Sequence, residues 1–569
     1  MGSELGITPD SKPQADYSPV SIWWACWAGV WTVAVAFGVA YLIVHRDMPT
    51  LRIRGLSLSL PAIVLLHLYW GCVQFGTMIG AIMPGDAQYW VMGIYLPWGI
   101  SLFHASNSRF LHVAKLQKKY AHHDSRHPDP VPEVKPKGGL INRFRRLDYT
   151  KKILVCLAIA IPFQLFLTVL MWVISRKWHS SWGIPGTEVH GTPMEQAMEM
   201  GRGWEWWPSV LGQLFWSWIV APIVLWKSRH IHDTQGWRVQ TIGCAIANLP
   251  ATPMWLIGLY VPGMEVVNQY WIPPQWICLS ILVMEIFTVF LPCWEVMRSK
   301  SLRRETLDAI AQWESKKDTT GPDGKSLGSI STMVDSMMSG WKSNNGSVET
   351  ATSNRESILT MGALEHVLAR NPGPLQKFSA LHDFSGENVA FLTSVAEWKS
   401  SLPKAVHDNT APNDDNTRAL IREKFNRALR IYTQFISVRH AEFPVNISSQ
   451  DLKKLENIFE GAACTLYGEE NEVDPATPFE TPGSYPMKSP MLPTFQDPAK
   501  KPTTSSESLI SDRVQYWGDV PEDFGPNVFD NAEESVKYLV LTNTWPKFVR
   551  NRRSSTDSSD TLRSGMDVV

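Results

Sequence analysis

Along the first 300 residues the apolar positions come in long, almost unbroken runs, with no alternation and no narrow helical stripe. Seven such runs stand out: Ser21–Val44, Leu56–Met83, Tyr89–Leu111, Ile153–Ser175, Pro208–Trp226, Val239–Val261 and Trp276–Met297. Each is near the ~20 residues that cross a bilayer as a helix. Charged residues are confined almost wholly to the gaps between runs. Helices of a soluble core would instead carry charge along one face. The pattern predicts a transmembrane domain over residues 21–298, preceded by a polar N-terminus, 1–20. Pro61, Pro97, Pro162, Pro222, Pro250, Pro253 and Pro292 fall inside the runs and are expected to kink their helices.

The pattern changes after Arg298. A loose stripe of Leu302, Leu307, Ile310 and Trp313 can prolong the last membrane helix to about Glu314. From Lys316 to Ser357 the chain is rich in Ser, Thr, Gly and Asn, which predicts a flexible tether within a 299–357 linker. Helical spacing returns with Leu364, Val367 and Leu368, is broken at Asn371-Pro372-Gly373-Pro374, and restarts at Leu375, Phe378 and Leu381. A further helix carries Val389, Phe391, Leu392, Val395 and Trp398, with Ser385 and Asn388 as an N-cap region. Arg418–Val438 is strongly amphipathic, and Leu452, Leu455, Ile458 and Phe459 continue an apolar core. This second helical domain is expected over 358–550. It is interrupted at about 464–518 by a proline-rich stretch too polar to pack, and followed by a Ser/Thr-rich tail, 551–569.

Charge changes the picture in one respect. The net charge of −1 over 569 residues selects no nucleic acid, but its distribution orients the membrane domain. The first loop holds Arg46, Arg52 and Arg54. The third, His112 to Lys152, holds eleven Lys and Arg, and the fifth holds Lys227, Arg229 and Arg238. The second and sixth have none, and the fourth balances Arg176, Lys177 and Arg202 with Glu188, Glu195, Glu199 and Glu205. The alternation predicts loops one, three and five in the cytoplasm, the N-terminus outside, and everything after Arg298 inside. The expected location is an integral membrane protein, with the plasma membrane as the natural site.

Six of the seven cysteines lie in apolar runs, no CxxC or Cys/His spacing occurs, and neither a disulfide framework nor a metal site is indicated. His122, His123 and His127 stand in a loop with no scaffold to fix them as ligands. No cofactor-binding motif is present. Inside the apolar runs the ionisable residues include His67, His104, Glu285 and Glu295. Such groups are costly in lipid and face a bundle interior. Glu285, with His67 and His104, is therefore the candidate intramembrane polar site, either for an unknown external ligand or proton, or for an interhelical hydrogen bond.

Three stretches of the second half carry a resemblance. Phe384-Ser385-Gly386-Glu387-Asn388-Val389-Ala390-Phe391 is similar to an F-S-x-E-N-x-x-F-W element. Ile431-Tyr432-Thr433-Gln434-Phe435-Ile436 followed by Val445-Asn446-Ile447 is similar to I-Y-x-x-F-I…V-N-(L/I). Val528-Phe529-Asp530-Asn531-Ala532 through Trp545-Pro546-Lys547-Phe548 is similar to V-F-D-x-A…D-S-Y-P-R-F. In this order the three resemble the regulator of G-protein signalling (RGS) family, over roughly residues 360–550. The resemblance implies an all-α protein: a seven-helix transmembrane bundle followed by a cytoplasmic RGS-like helical bundle, a combination found in fungal and plant receptor-like proteins.

It also implies a GTPase-activating function with no catalytic side chain of its own. The G-protein α subunit supplies its arginine and its water-orienting glutamine, and the RGS surface holds the mobile switch segments in place. The residues the resemblance assigns to binding a GTP-loaded α subunit are Glu387, Asn388, Asn446, Asn543 and Lys547. Helix capping is the competing role for Asn388 and Asn446. The chain departs from the family pattern at Asn543 and Lys547, where the family has Asp and Arg, and at Leu392, where it has Trp. The competing functions are a receptor that activates G protein directly and a transporter whose RGS-like domain only scaffolds.

Overall fold

The computed structural model describes residues 4–7, 11–121, 144, 147, 149–179, 181–319, 358–401, 415–468 and 515–552. His122, His123 and His127, most of the tether, the middle of the proline-rich stretch and the tail lie outside them. Among the described residues the regular elements are all helices, apart from one isolated bridge pairing Ser175 with Ile184. The chain divides into two compact units. The first comprises Met1–His123, Lys137–Ala390 and Lys537–Val569, and the second is centred on Phe391–Val536.

The first unit contains six helices long and apolar enough to cross a membrane: α1 (Pro19–Val44), α2 (Leu56–Gln74), α4 (Lys151–Ile174), α5 (Pro193–Ser228), α6 (Trp237–Tyr260) and α7 (Gln275–Ala311). The third expected run also folds as a helix, α3 (Gly85–Gln117). It is not among the six, and its sequence shows why. Its second half carries Ser101, His104, Ser106, Asn107 and Arg109, all buried among neighbouring helices. The core joins Leu66, Tyr69 and Trp70 of α2 to Tyr89, Met92 and Leu96 of α3, Trp255 of α6 and Met284 of α7.

Small residues let the helices approach. A Cβ at Gly99 of α3 would lie 2.7 Å from Leu66 Cγ, so only glycine allows this α2–α3 crossing. The outward faces are as apolar as the core: Phe37, Ile159, Phe163, Trp218 and Ile223 are all exposed. A soluble surface does not carry so much contiguous apolar area, whereas a bilayer covers it. Of the expected kinks, Pro61, Pro97 and Pro162 sit within continuous helix. Pro222 and Pro292 follow wider π-type turns at Phe215–Val220 and Ile286–Phe290. Proline offers no N–H and crowds the carbonyl one turn back, and a widened turn relieves that clash.

The last membrane helix continues to Thr319, as the stripe beyond Arg298 predicts. The first unit then takes up α8 (Met361–Arg370), whose N-cap Thr360 accepts from the Ala363 amide. Next come α9 (Gly373–Phe378) and a π-type turn, Ser379–Asp383. Phe384 ends that turn with φ of +51°, the left-handed region that costs a non-glycine residue roughly 1–2 kcal/mol. Helix α10 (Gly386–Ser400) leads from the first unit into the second. The chain returns through α13 (Asp530–Leu539) and a π-type turn, Val540–Thr544. There Trp545 donates to the Ile358 carbonyl at 2.9 Å, and Phe548 packs edge-on against Phe378.

The second unit is an aromatic-cored helical cluster. Helices α11 (Asp415–Phe435) and α12 (Ser449–Tyr467) present Phe425, Tyr432 and Phe459 to Phe391, Trp398 and Phe529. Phe459 stacks on Phe425 at 5.5 Å and on Phe529 at 5.7 Å. Lys399 clamps the start of α13 through Asp530 at 2.5 Å and Glu533 at 2.6 Å. Both edges of the expected 464–518 interruption are corrected. Helix α12 runs on through Cys464 to Tyr467, because Ala462 and Ala463 still face the core. Tyr516 packs 5.7 Å from Phe425, and its amide donates to Asn426 at 2.7 Å.

Candidate functional site

The segment Ser379–Asn388 is held by side chains from the ends of the membrane helices. Gln117, the last residue of α3, is fully buried and uses both ends of its amide. Its Nε2 donates to Glu387 Oε2 at 2.9 Å, and its Oε1 accepts from the Gly386 amide at 3.0 Å. That amide is one of the free donors at the start of α10, so α10 is capped by a residue of α3. Ser385, expected to cap it, donates instead to Asp383 Oδ2 at 3.0 Å and meets the Thr544 hydroxyl at 3.1 Å. Gln376 of α9 donates to the Tyr120 carbonyl just beyond α3. A Cβ at Gly386 would sit 2.7 Å from Tyr120 Cβ and 2.9 Å from Ala380 Cα, so the contact requires glycine there.

Asp383 is the hub of this arrangement. Its side chain is completely buried. It accepts from Thr234 Oγ1, Thr544 Oγ1 and Lys547 Nζ, each at 2.8 Å, and from Ser385 Oγ at 3.0 Å. Its carbonyl accepts from Gln235 Nε2 at 2.7 Å, and the His382 carbonyl accepts from the Thr234 amide at 2.9 Å. The loop before α6 is itself fastened by Arg54, which donates to the Gln235 carbonyl and to Gln240 Oε1. Between these polar ties, the Phe384 ring meets Phe110 of α3 edge-on at 6.0 Å and Trp237 of α6 at 6.4 Å.

The five residues assigned by the resemblance therefore differ in their settings. Glu387 and Asn388 are buried, at 8% and 6% exposure. Burial pushes the Glu387 carboxyl up to about 7, against the opposing pull of the Gln117 hydrogen bond and with a further rise from Asp383. Asn388 Nδ2 donates to Glu387 Oε1 at 3.3 Å, while its Oδ1 is buried without a partner among the described residues. Lys547 ion-pairs with Asp383 rather than with position 543, where Asn cannot offer a carboxylate. Asn543 lies half-buried in the Val540–Thr544 turn.

Asn446 belongs to the second unit and is exposed. Phe443 and Val445 are buried beside it, and the Val445 amide donates to the Phe435 carbonyl at 2.8 Å. The cap of α12 is Ser448, whose hydroxyl accepts from the Asp451 amide at 3.1 Å, so Asn446 does not serve as its N-cap.

In the membrane helices the structure joins two of the three expected residues. Glu285 is fully buried. Its Oε1 lies 2.8 Å from His67 Nδ1, and its Oε2 accepts from Trp31 Nε1 at 2.5 Å. His67 Nε2 lies 3.0 Å from Thr32 Oγ1. Helices α1, α2 and α7 thus meet at one carboxylate. His104 is elsewhere, with its ring stacked 5.2 Å from Trp216.

Sequence reasoning missed Trp31, Gln117, Thr234, Gln235 and Asp383. Trp31 sits in an apolar run and reads as lipid-facing, and the other four lie in no recognisable motif. No family model matches the chain, and neither a curated protein nor a solved structure is similar to it.

Proposed function

We propose that this chain is a membrane-anchored regulator of heterotrimeric G-protein signalling. In this reading the second half accelerates GTP hydrolysis on a G-protein α subunit, and the membrane helices sense an external ligand. The chain is then not itself an enzyme, since the hydrolytic groups belong to the α subunit. Helix α3 serves as a seventh span, with the N-terminus outside and the RGS-like part at the cytoplasmic face of the plasma membrane.

The observation that carries the reading is Asn446. The motif order assigns it to the α subunit's water-orienting glutamine. It stands exposed on a turn whose flanks are buried, and the competing duty of capping α12 falls to Ser448. A short amide on a rigid turn suits the task of fixing a mobile switch segment by position. The buried Trp31–Glu285–His67 cluster supports the sensing role, because a carboxylate shared by three helices gives a ligand or proton something to rearrange.

The test is single-turnover GTP hydrolysis by a panel of purified GTP-loaded α subunits, with the full chain in nanodiscs. Faster hydrolysis by at least one α subunit, lost in Asn446→Ala, supports the reading. No acceleration with any of them, or acceleration indifferent to Asn446, refutes it.

A further inference from the structure

Resting on the reading just given, the geometry points to a self-inhibited state. We propose that the end of α3 and the loop before α6 are an intramolecular competitor of the G-protein α subunit. The end of α3 occupies the Glu387 part of its binding surface, the loop before α6 fastens the neighbouring Asp383, and their release switches the regulator on.

Three observations converge. First, the surface is covered. Glu387 and Asn388 are at most 8% exposed, and the groups that bury them include Gln117, which takes both the Glu387 carboxylate and the Gly386 amide. An α subunit cannot reach the Glu387 carboxylate while Gln117 is seated.

Second, the docking is specific. Phe384 holds an unfavourable left-handed conformation while its ring packs edge-on against both Phe110 and Trp237. Asp383 gathers donors from the loop before α6 and from the returning C-terminal segment at once. A backbone conformation of this kind persists only where its surroundings over-determine it.

Third, the docked state is incomplete. Asn388 Oδ1 is a buried acceptor with no donor among the described residues. An unmet acceptor of this kind costs free energy and calls for an explanation. A partner that supplies the missing donor gains what α3 cannot offer, so the two occupants compete on uneven terms.

The fold also connects this contact to the membrane interior. Helix α3 crosses α2 at Gly99 and Leu66, one residue from His67 of the buried cluster, and the same helix ends at Gln117. A shift of α3 along α2 moves Gln117 relative to Glu387. A ligand that prefers the shifted bundle therefore favours release to the extent of its differential affinity, and no further.

The test uses the full chain in nanodiscs and the double variant Gln117→Ala, Thr234→Ala. Neither residue belongs to the assigned G-protein surface. Two quantities are read on each sample. One is amide exchange at residues 386–390, and the other is single-turnover hydrolysis by the GTP-loaded α subunit that the wild type accelerates most. The expected result is faster exchange together with acceleration raised at least about fivefold, the lower end of typical site-to-site coupling. Adding Asn446→Ala to the double variant should remove that gain.

If exchange rises and acceleration stays at the wild-type level, docking does not inhibit and the inference is overturned while the function stands. If exchange rises and no sample accelerates hydrolysis, the functional reading itself fails. If exchange stays slow in the double variant, Gln117 and Thr234 do not hold the contact, and the inference is overturned on its geometry.

Discussion

Replacing Asp383 is the sharpest probe of how the C-terminal segment is fastened. In Asp383→Ala the Lys547 ammonium, whose side chain is 14% exposed, loses its carboxylate, and three hydroxyls of Thr234, Thr544 and Ser385 lose their acceptor. Removing one member of a buried ion pair costs about 3–5 kcal/mol. The remaining exposure of Lys547 lets it turn toward water, which favours the lower figure of about 3 kcal/mol. Lys547→Met leaves the buried carboxylate with three hydroxyl donors but no counter-charge, so its cost should be about 2 kcal/mol, that of one hydrogen bond to a charged group. The asymmetry is the useful part, because a simple ion pair predicts equal damage from either side. The assay is native-state amide exchange over residues 379–388 and 540–549, which reads local opening directly. A loss of about 3 kcal/mol corresponds to roughly a hundredfold faster exchange in Asp383→Ala, against about thirtyfold in Lys547→Met. Exchange in Asp383→Ala within threefold of wild type would remove Asp383 from the role of hub. Equal effects of the two substitutions would reduce the arrangement to a lysine–aspartate pair.

Asn446→Ala should leave thermal melting of the full chain unchanged, since Ser448 supplies the cap of α12. It should slow single-turnover GTP hydrolysis about 10²–10³-fold, the cost of one lost transition-state contact; full activity with intact melting would show that the residue makes no such contact. Glu285→Ala strands Trp31 Nε1 and the Glu285-facing nitrogen of His67, and should lower stability by about 1–3 kcal/mol, read as a lower melting midpoint in detergent. Glu285→Gln keeps an acceptor and should recover much of that loss. The Glu387 carboxyl, raised from 4.5 to about 7 mainly by burial, with Asp383 raising it further and Arg52 and Gln117 lowering it, makes docking pH-dependent. A raised acid binds its proton more tightly when docked, so the contact is fully favoured below about pH 4.5 and weakens up to about pH 7 by roughly 3 kcal/mol in all. Exchange at residues 386–388, corrected for intrinsic rates, should quicken over that range and level off above it, and should lose this dependence in Glu387→Gln. For orientation, cysteines placed at Lys115 and Lys151 should resist an impermeant reagent on intact cells while one at Glu195 reacts; labelling at position 115 from outside would invert the topology.

The membrane helices were legible because lipid imposes one requirement on long stretches of chain, namely apolar side chains over about 20 residues. Six of the seven runs meet it in full. The run in α3 falls short for a reason that the same rule contains. A helix enclosed by others need not be apolar all round, and Ser101, Asn107 and Arg109 are buried against protein. The second half was legible where a local period governs, as at Phe425, Leu429 and Tyr432 of α11, all fully buried on the predicted face. Its interruption was misplaced at both edges, since composition averages over neighbours. Cys464 still belongs to a helix whose alanines pack inward, and Tyr516 is a single aromatic anchor in a polar surrounding.

The site divides along the same line. The exposure of Asn446 is a local matter, because its turn is anchored by the buried Phe443 and Val445. The burial of Glu387 is not, because its partner Gln117 is 270 residues away, and neither periodicity nor composition links a glutamine at the end of one helix to a glycine–glutamate step at the start of another. That the two meet has a physical consequence. A surface glutamate in a short recognition motif is ordinarily solvated. Here it gives up that solvation for one amide, while the asparagine beside it gives up its own for less than a full set of partners. On the proposal above, such a contact forms within one chain and yields to an outside partner with better-placed donors. A motif that is easy to find and a burial that is impossible to foresee thus meet at the same residue.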